Sequence, residues 1–414
     1  SLLAVLSQEL AAGGHGTTLV AATPRRGDGS WRQRLGSLLS RPTVCSNVGG
    51  AGAGPDCAHT PDFMAGGTAL QAMTDIAGTA VGGGSGLCDV ANTQDESAVI
   101  FYSEALAFAF FAGGGRMLPV PFALLGSRRY LSELSGESST GPPFWSRCGT
   151  IAQNDWLNEG ILMDTVSVAV GEREVKVYAG AFVAVRSECV ACKNQCAPDA
   201  AANNNCPTQR GSVDADVGLW YSAYEPTMYA PPIQRAFRRV VRRIGTGPWG
   251  AGAWLGDSQH YFLLVWLATS LLSSGAGLDY YVYDHFCENP GNQCFLLGSD
   301  GCAACVDSSG VKTVLKSRCG RRGLWDVLGA WGGRPAQGLY GALRSAGPPP
   351  SQIFDVLAGP EEGLRLAGGP PLPPPAPPPL QEEPDDFASP GQAGPPGPEQ
   401  LEEAPGPPGR RGPA

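Results

Sequence analysis

The sequence predicts an α/β fold with a mixed sheet flanked by helices, and three observations support this. Apolar segments of strand length alternate along the chain with longer segments of helical spacing. Gly-rich loops separate the two kinds of segment, as expected where ligands bind at the carboxyl ends of strands. The 414 residues, 43% of them hydrophobic, suffice to bury one large core or two modest ones.

Strands are predicted from runs of apolar and β-branched residues. Ile161–Val170 and Val175–Val185 flank Gly171–Arg173, so we expect two strands joined by a tight turn. Asp279–Phe286 is predicted as a buried strand. Ala98–Phe111 is almost wholly apolar, which predicts a segment buried on every side, whether strand or helix.

Helices are predicted from apolar residues at helical spacing. Ile233–Ile244 is predicted as a basic amphipathic helix, and Asp257-Ser258 can cap a strongly apolar helix at His260–Leu272. Further helices are predicted at Ser1–Ala11, at Trp31–Leu39 and within Gly323–Leu343.

Composition divides the chain into three regions. We expect a helical N-terminal segment at residues 1–60, an α/β domain with Cys-rich loop insertions at 61–345, and a tail at 346–414. The tail contains more than half of the 37 prolines and a net charge of −7 from ten carboxylates and three arginines, out of −9 for the chain. Such a composition cannot bury enough apolar area to fold, so we expect the tail to be disordered.

The charge and the cysteine content limit the partners and the compartment. The region before the tail is close to neutral, so broad capture of nucleic acid is not indicated. No run of eighteen apolar residues is present, so we expect no membrane span. Ser1–Leu10 lacks the pattern of a signal peptide, which favours a fragment or a processed product. Thirteen cysteines without an Asn-x-Ser/Thr sequon leave the compartment open.

Four cysteines lie together in one polar segment. Cys189, Cys192, Cys196 and Cys206 have a spacing that permits a zinc site, two disulfides or free thiols. As a zinc site or as disulfides, they would staple an insertion to the core. With four histidines in the chain, a His-based metalloenzyme or catalytic triad is disfavoured.

The arginines of Arg235–Arg243 form a local cluster of positive charge. They are typical of the solvated face of a helix, and contact with a polyanion is the alternative.

A first candidate site lies between Asp75 and Glu104. A short apolar stretch leads to Gly82, Gly83 and Gly84, and Gln94, Asp95 and Glu96 then stand directly before an apolar run. Glycines let backbone N–H groups approach a ligand, and a carboxylate beside a buried segment can be tuned as a proton carrier. The pattern indicates a site with an acid next to a backbone cradle.

A second candidate site is the Gly-rich stretch Gly245–Asp257, which leads into the predicted helix at His260. A loop that runs into a helix N-terminus is an anion site in principle, because free N–H groups and the helix dipole both favour a phosphate there.

Together the two stretches resemble the catalytic macrodomain of the poly(ADP-ribose) glycohydrolase family. The family's Asp-Phe-Ala-Asn, Gly-Gly-Gly and Gln-Glu-Glu signature is matched by Asp75–Gly78, Gly82–Gly84 and Gln94–Glu96. Its diphosphate loop, Thr-Gly-Asn-Trp-Gly-Cys-Gly followed by an aromatic residue and Gly-Asp, is matched by Thr246–Gly252, Trp254 and Gly256-Asp257. The resemblance covers roughly residues 68–286 and implies a macrodomain-like fold for 61–345.

The resemblance implies a hydrolase that cuts ribose–ribose bonds in poly(ADP-ribose) and releases ADP-ribose. Glu96 would act as both acid and base, and Asp95 would bond the ribose hydroxyls. No cofactor and no metal are implied. The partners would be poly(ADP-ribose) or ADP-ribosylated proteins, with no membrane and no sequence-specific nucleic acid, and the chain a monomer. A nuclear or cytoplasmic role in reversing ADP-ribosylation, as in the DNA damage response, follows, although the cysteines leave secretion open.

The resemblance also implies a set of substrate-binding residues. The glycines of both loops would hold ribose and diphosphate, Trp254 would lie against a ribose, and Tyr283 or His285 would stack on adenine. The implied set is Asp75, Gly82, Gly83, Gly84, Gln94, Gly247, Trp249, Gly250, Gly252, Trp254, Tyr283 and His285.

Three residues depart from the family pattern: Asp95 stands in place of Glu, and Gly78 and Pro248 in place of Asn. Because of these departures, one alternative function is a binding module that holds ADP-ribose without cutting it. A cysteine-stapled interaction protein without catalysis is the other alternative.

Overall fold

The structure is a computed structural model. The chain divides into two compact units, Ser1–Pro371 and Leu372–Ala414, and every described residue lies in the first. The described residues are 18–25, 29–46, 70–78, 98–99, 102, 104–105, 107–108, 120–128, 165–186, 212–247, 249–250, 257–282, 322–345 and 352–359.

A seven-stranded mixed sheet forms the centre of the described structure. Its strands are β1 (Val20–Ala22), β2 (Thr43–Ser46), β3 (Gln71–Asp75), β4 (Phe122–Leu125), β7 (Ala181–Ala184), β8 (Arg243–Thr246) and β9 (Gly277–Val282), and their order is β1-β4-β7-β3-β8-β9-β2. β7, β3, β8, β9 and β2 pair in parallel, and β4 is antiparallel to both β7 and β1. The predicted α/β class with a mixed sheet is confirmed.

Two further strands, β5 (Thr165–Val170) and β6 (Arg173–Tyr178), form a separate antiparallel hairpin. The predicted turn at Gly171 is therefore confirmed. The predicted second strand, Val175–Val185, is wrong as one element, because the chain leaves β6 at Tyr178 and enters the main sheet as β7 at Ala181. β7 is buried throughout, as a strand between two neighbours requires.

Six α-helices are described around the sheet: α1 (Val213–Tyr224), α2 (Pro231–Val240), α3 (Ser258–Ser270), α4 (Leu324–Trp331), α5 (Ala336–Arg344) and α6 (Ile353–Leu357). α3 packs against α1, α5, α6 and β9, and α2 packs on the β5–β6 hairpin. Twelve of the thirteen residues of α3 are buried, which explains why it is apolar on all sides. No helix of the described ranges is long and apolar enough to cross a membrane.

Several helix predictions need correction. The predicted helix Ile233–Ile244 ends at Val240, because residues 243–246 form β8 between β3 and β9. The segment Trp31–Leu39 contains a 3-10 helix at Ser30–Arg34 and no α-helix. Within Gly323–Leu343 there are two helices, α4 and α5, separated at Gly332.

The predicted N-terminal segment and the predicted tail also differ from what the structure shows. Segments 20–22 and 43–46, assigned to a helical N-terminal region, form the edge strands β1 and β2 of the main sheet. The predicted tail begins too early, since α6 lies beyond residue 346. Phe354 N–H donates to Gln259 Oε1 of α3 at 3.0 Å, and Trp331 Nε1 donates to Leu357 O at 2.9 Å.

A partly buried polar network connects four adjacent strands. Gln71 Nε2 on β3 donates to Asp279 Oδ2 on β9 at 2.7 Å, and Arg243 on β8 pairs with both oxygens of Asp279. Arg243 Nη2 also donates to Thr43 Oγ1 on β2 at 2.7 Å. The Gln71 side chain crosses β8 at Gly245, where a Cβ atom would lie 2.9 Å from Gln71 Cδ. Glycine at 245 is therefore required by close packing.

We predict that Gly245→Ala lowers the free energy of unfolding by about 1–3 kcal/mol, because the added methyl group overpacks the site and displaces Gln71. Gly329→Ala is the matched control: Gly329 is exposed on α4 with no atom within 4 Å of an added Cβ. This control should raise stability by about 0.4–1 kcal/mol. Urea denaturation measures both changes. Equal effects of the two substitutions would contradict the close packing of Gln71 against Gly245.

Candidate functional site

The parallel strands β3, β7 and β8 end side by side, and we call the residues that end or directly follow them the carboxyl edge. β3 ends at Asp75 and leads into residues 76–78, and β7 leads into Val185 and Arg186. β8 leads into Gly247, Trp249 and Gly250. The edge therefore brings together the starts of the two candidate stretches, which lie far apart in sequence.

The indole of Trp249 ties the loop after β8 to the end of β7. Its Nε1 donates a hydrogen bond to Val185 O at 3.3 Å, and Val185 N–H donates to Asp75 O at 2.9 Å. Because β3 lies between β7 and β8, the loop must pass over the end of β3 to make this contact. Trp249 thus fixes the loop above the segment that begins at Asp75.

The Trp249 ring is enclosed by protein. It contacts the rings of Trp220 at 5.7 Å and Tyr261 at 5.3 Å, both edge-on, and its exposed fraction is 1%. These contacts give Trp249 a supporting role for the loop. A direct contact with substrate, as the resemblance implies, stays a prediction.

Gly250 is required by both backbone and space. Its φ of +73° is a conformation that residues with a side chain rarely adopt, and a Cβ there would lie 2.8 Å from the Tyr261 ring. Because Tyr261 is on α3, this close approach seats the loop directly on the helix that follows it.

Asp75 lies fully buried at the end of β3, next to a buried hydroxyl pair. Thr74 Oγ1 and Tyr224 OH, on α1, share a 2.5 Å hydrogen bond. Burial raises the pKa of the Tyr224 hydroxyl, the nearby charge of Asp75 raises it further, and the bond with Thr74 opposes both. Tyr224 therefore stays protonated and holds α1 against the end of β3 beside the Asp75 carboxylate.

The N-terminus of α3 is capped by Asp257, as predicted. Asp257 Oδ1 accepts hydrogen bonds from Gln259 N–H at 3.1 Å and His260 N–H at 3.4 Å, and the carboxylate is buried. Two amide groups of the helix start are therefore occupied by the chain's own carboxylate. The prediction that this helix N-terminus offers its free N–H groups to a phosphate does not hold for these two.

The described structure covers four of the predicted site residues, and it brings all four to the carboxyl edge: Asp75, Gly247, Trp249 and Gly250. The other predicted residues lie outside the described ranges and stay predictions: Gly82, Gly83, Gly84, Gln94, Asp95, Glu96, Gly252, Trp254, Tyr283, His285, Cys189, Cys192, Cys196 and Cys206. Within the described part of the chain, no three His, Cys, Asp or Glu side chains cluster as metal ligands.

Sequence reasoning missed four residues that shape this edge: Thr74, Val185, Arg186 and Tyr224. Thr74 and Tyr224 meet only because α1 packs across β3, which no local pattern reveals. Arg186 directly follows the apolar run Ala181–Val185 that ends a predicted strand, and this abrupt change to a charged residue is a signal that the sequence does contain.

Three comparisons relate the chain to known proteins. No protein-family model matches the chain, and no curated protein matches it. Among solved structures, it is similar to a crystal structure of poly(ADP-ribose) glycohydrolase from Deinococcus radiodurans in complex with ADP-ribose, with 10% identity, a TM-score of 0.28, and coverage of 66% of this chain and 91% of the other. A point mutant of that enzyme, also in complex with ADP-ribose, has 13% identity and a TM-score of 0.26 at the same coverage. At these TM-scores the likeness carries no argument.

We predict that Trp249→Phe lowers the free energy of unfolding by about 1–3 kcal/mol, because Val185 O, buried at the edge, loses its indole donor. Chemical denaturation measures the change. Trp325→Phe serves as control, since Trp325 is 42% exposed on α4 and should change stability by less than about 0.5 kcal/mol. Equal losses for the two variants would show that the indole bond is not what holds the loop.

Proposed function

We propose that the chain is a poly(ADP-ribose) glycohydrolase, which hydrolyses ribose–ribose O-glycosidic bonds and releases ADP-ribose. One observation carries the proposal: the starts of the two motifs lie at the ends of neighbouring strands. Asp75 ends β3, Gly247 follows β8, and these strands are hydrogen-bonded in parallel. Ligands of open α/β sheets bind beyond the carboxyl ends of their strands, and the starts of both motifs lie there, which supports a substrate that contacts both.

The loop after β8 suits the diphosphate part of such a substrate. Gly247 and Gly250 have no side chains to block an approach to the backbone, and Trp249 and Tyr261 support the loop from beneath. A rigid backbone cradle binds an anion with little loss of conformational entropy.

The chemistry would fall to Glu96, which follows Asp75 in the first motif. Its carboxylic acid would protonate the leaving ribose oxygen as the glycosidic bond breaks. The resulting carboxylate would then remove a proton from the attacking water. Asp95 would hold the ribose hydroxyls, and the bound diphosphate would stabilise the cationic transition state. No metal or cofactor is needed for these steps.

The substrates would be poly(ADP-ribose) or ADP-ribosylated proteins, bound by a monomer in the nucleus or cytoplasm. In this role the chain would reverse ADP-ribosylation, as in the response to DNA damage.

A second candidate function is a reader module that binds ADP-ribose without cutting it. Gly78 favours it, because this residue follows β3 at the carboxyl edge and has no side chain to bond a ribose where the family has Asn. The shorter Asp95 in place of Glu acts in the same direction.

The test is release of ADP-ribose from polymer by the wild-type chain and by Glu96→Gln. Loss of the acid and base should lower turnover about 10²- to 10⁴-fold while leaving the affinity for ADP-ribose within about threefold of wild type. Glu172→Gln, in the exposed turn between β5 and β6, is the control and should leave turnover unchanged.

The outcomes separate the candidates. Turnover that survives Glu96→Gln would rule out the proposed mechanism. Binding of ADP-ribose by the wild type without turnover would favour the reader module. Absence of both would leave the cysteine-stapled interaction protein.

A further inference from the structure

Arg186 is a positive charge at the carboxyl edge with an unsatisfied donor. It comes two residues after Ala184, which pairs with Asp75 in the β3–β7 register, and directly after Val185, the acceptor of the Trp249 indole. Its side chain is partly buried, and its Nε atom is buried with no hydrogen-bond partner among the described residues.

A buried donor without an acceptor is unfavourable, and more so when the donor carries charge. The guanidinium has given up water at Nε, and the described part of the chain offers no oxygen in exchange. Native structures keep few such groups, and each calls for a physical explanation. An anion bound at the edge would supply the missing acceptor.

The charges of the edge favour the same explanation. Among the described residues that follow the ends of β3, β7 and β8, which are 76–78, 185–186, 247 and 249–250, Arg186 is the only charged one. Among the described residues, the acids nearest in sequence to the end of β3 and to the loop after β8 are Asp75 and Asp257, and both are buried. Asp257 Oδ1 also accepts the hydrogen bonds that cap the start of α3.

We propose that Arg186 is a substrate-binding residue that contacts the anionic diphosphate of the bound nucleotide, opposite the glycine loop after β8. The inference rests on the proposed function and adds a charged contact from β7 to the backbone contacts from β8. A guanidinium offers donors in one plane, which match two oxygens of a phosphate at once, whereas a lysine offers a point charge. The pair would hold the diphosphate from two sides of β3.

The test is calorimetric titration of the wild-type chain and of Arg186→Gln with ADP-ribose, adenosine and inorganic pyrophosphate. We expect the Kd for ADP-ribose and for pyrophosphate to rise about ten- to hundredfold in the variant. The Kd for adenosine, which has no phosphate, should stay within about twofold. Arg186→Lys should recover part of the loss, and Arg239→Gln, exposed on α2, should change none of the three.

The other outcomes show whether the Arg186 inference, the proposed function or both are wrong. Equal losses for adenosine and ADP-ribose would mean that Arg186 only maintains the shape of the edge, and no loss for ADP-ribose would remove it from the site; either result overturns the inference and leaves the glycohydrolase proposal standing. Binding of pyrophosphate but not of ADP-ribose, with loss in Arg186→Gln, would overturn the proposed function and support the anion contact. Binding of none by the wild type would overturn both.

Discussion

The carboxyl edge depends on one hydrogen bond, from the Trp249 indole to Val185 O. Backbone pairing along β3, β7 and β8 aligns the strands, but it cannot position the loop that leaves β8. The indole does so because it spans the width of β3, and Gly250 lies directly against the Tyr261 ring. A large, rigid side chain with one donor at its rim is suited to this, since it gives up few rotamers for the area that it buries.

The same edge separates its charges by burial. Asp75 lies beneath the edge beside the protonated Tyr224, and Asp257 is committed to the start of α3. Both acids are thus kept from the surface where a polyanion would bind, and the charge that does reach it, within the described ranges, is the guanidinium of Arg186. An acidic chain can bind an anion when the carboxylates near the site are buried and a cationic side chain remains available there.

The sequence predicts the fold best where the determinants are local. α3 and its cap follow from Asp257-Ser258 and the apolar run after them, and the β5–β6 turn follows from Gly171. Local patterns predict the wrong element where pairing with strands distant in sequence determines the structure. Ile244 continues the helical spacing of α2, yet pairing with β3 and β9 takes it into β8, and three- and four-residue edge strands such as β1 and β2 exist only through their partners.

The candidate site also has a part that local sequence patterns predict and a part that they do not. Asp75 and the glycines of the second loop are visible as motifs, because a ligand-binding backbone needs glycine at fixed positions. The contacts that join these motifs are not visible: Thr74 with Tyr224, and Trp249 with Val185, connect residues whose proximity is set by the sheet order.

The capped start of α3 changes how an anion would be held. In sites that use a helix terminus, free N–H groups and the dipole share the charge of the phosphate. Here Asp257 Oδ1 accepts hydrogen bonds from two of those groups, so these two are not available to a phosphate. Attraction of a diphosphate must then come from backbone groups of the loop and from a side-chain cation. A side-chain cation at a partly exposed edge is screened by salt, so affinity that depends on Arg186 should weaken as ionic strength rises.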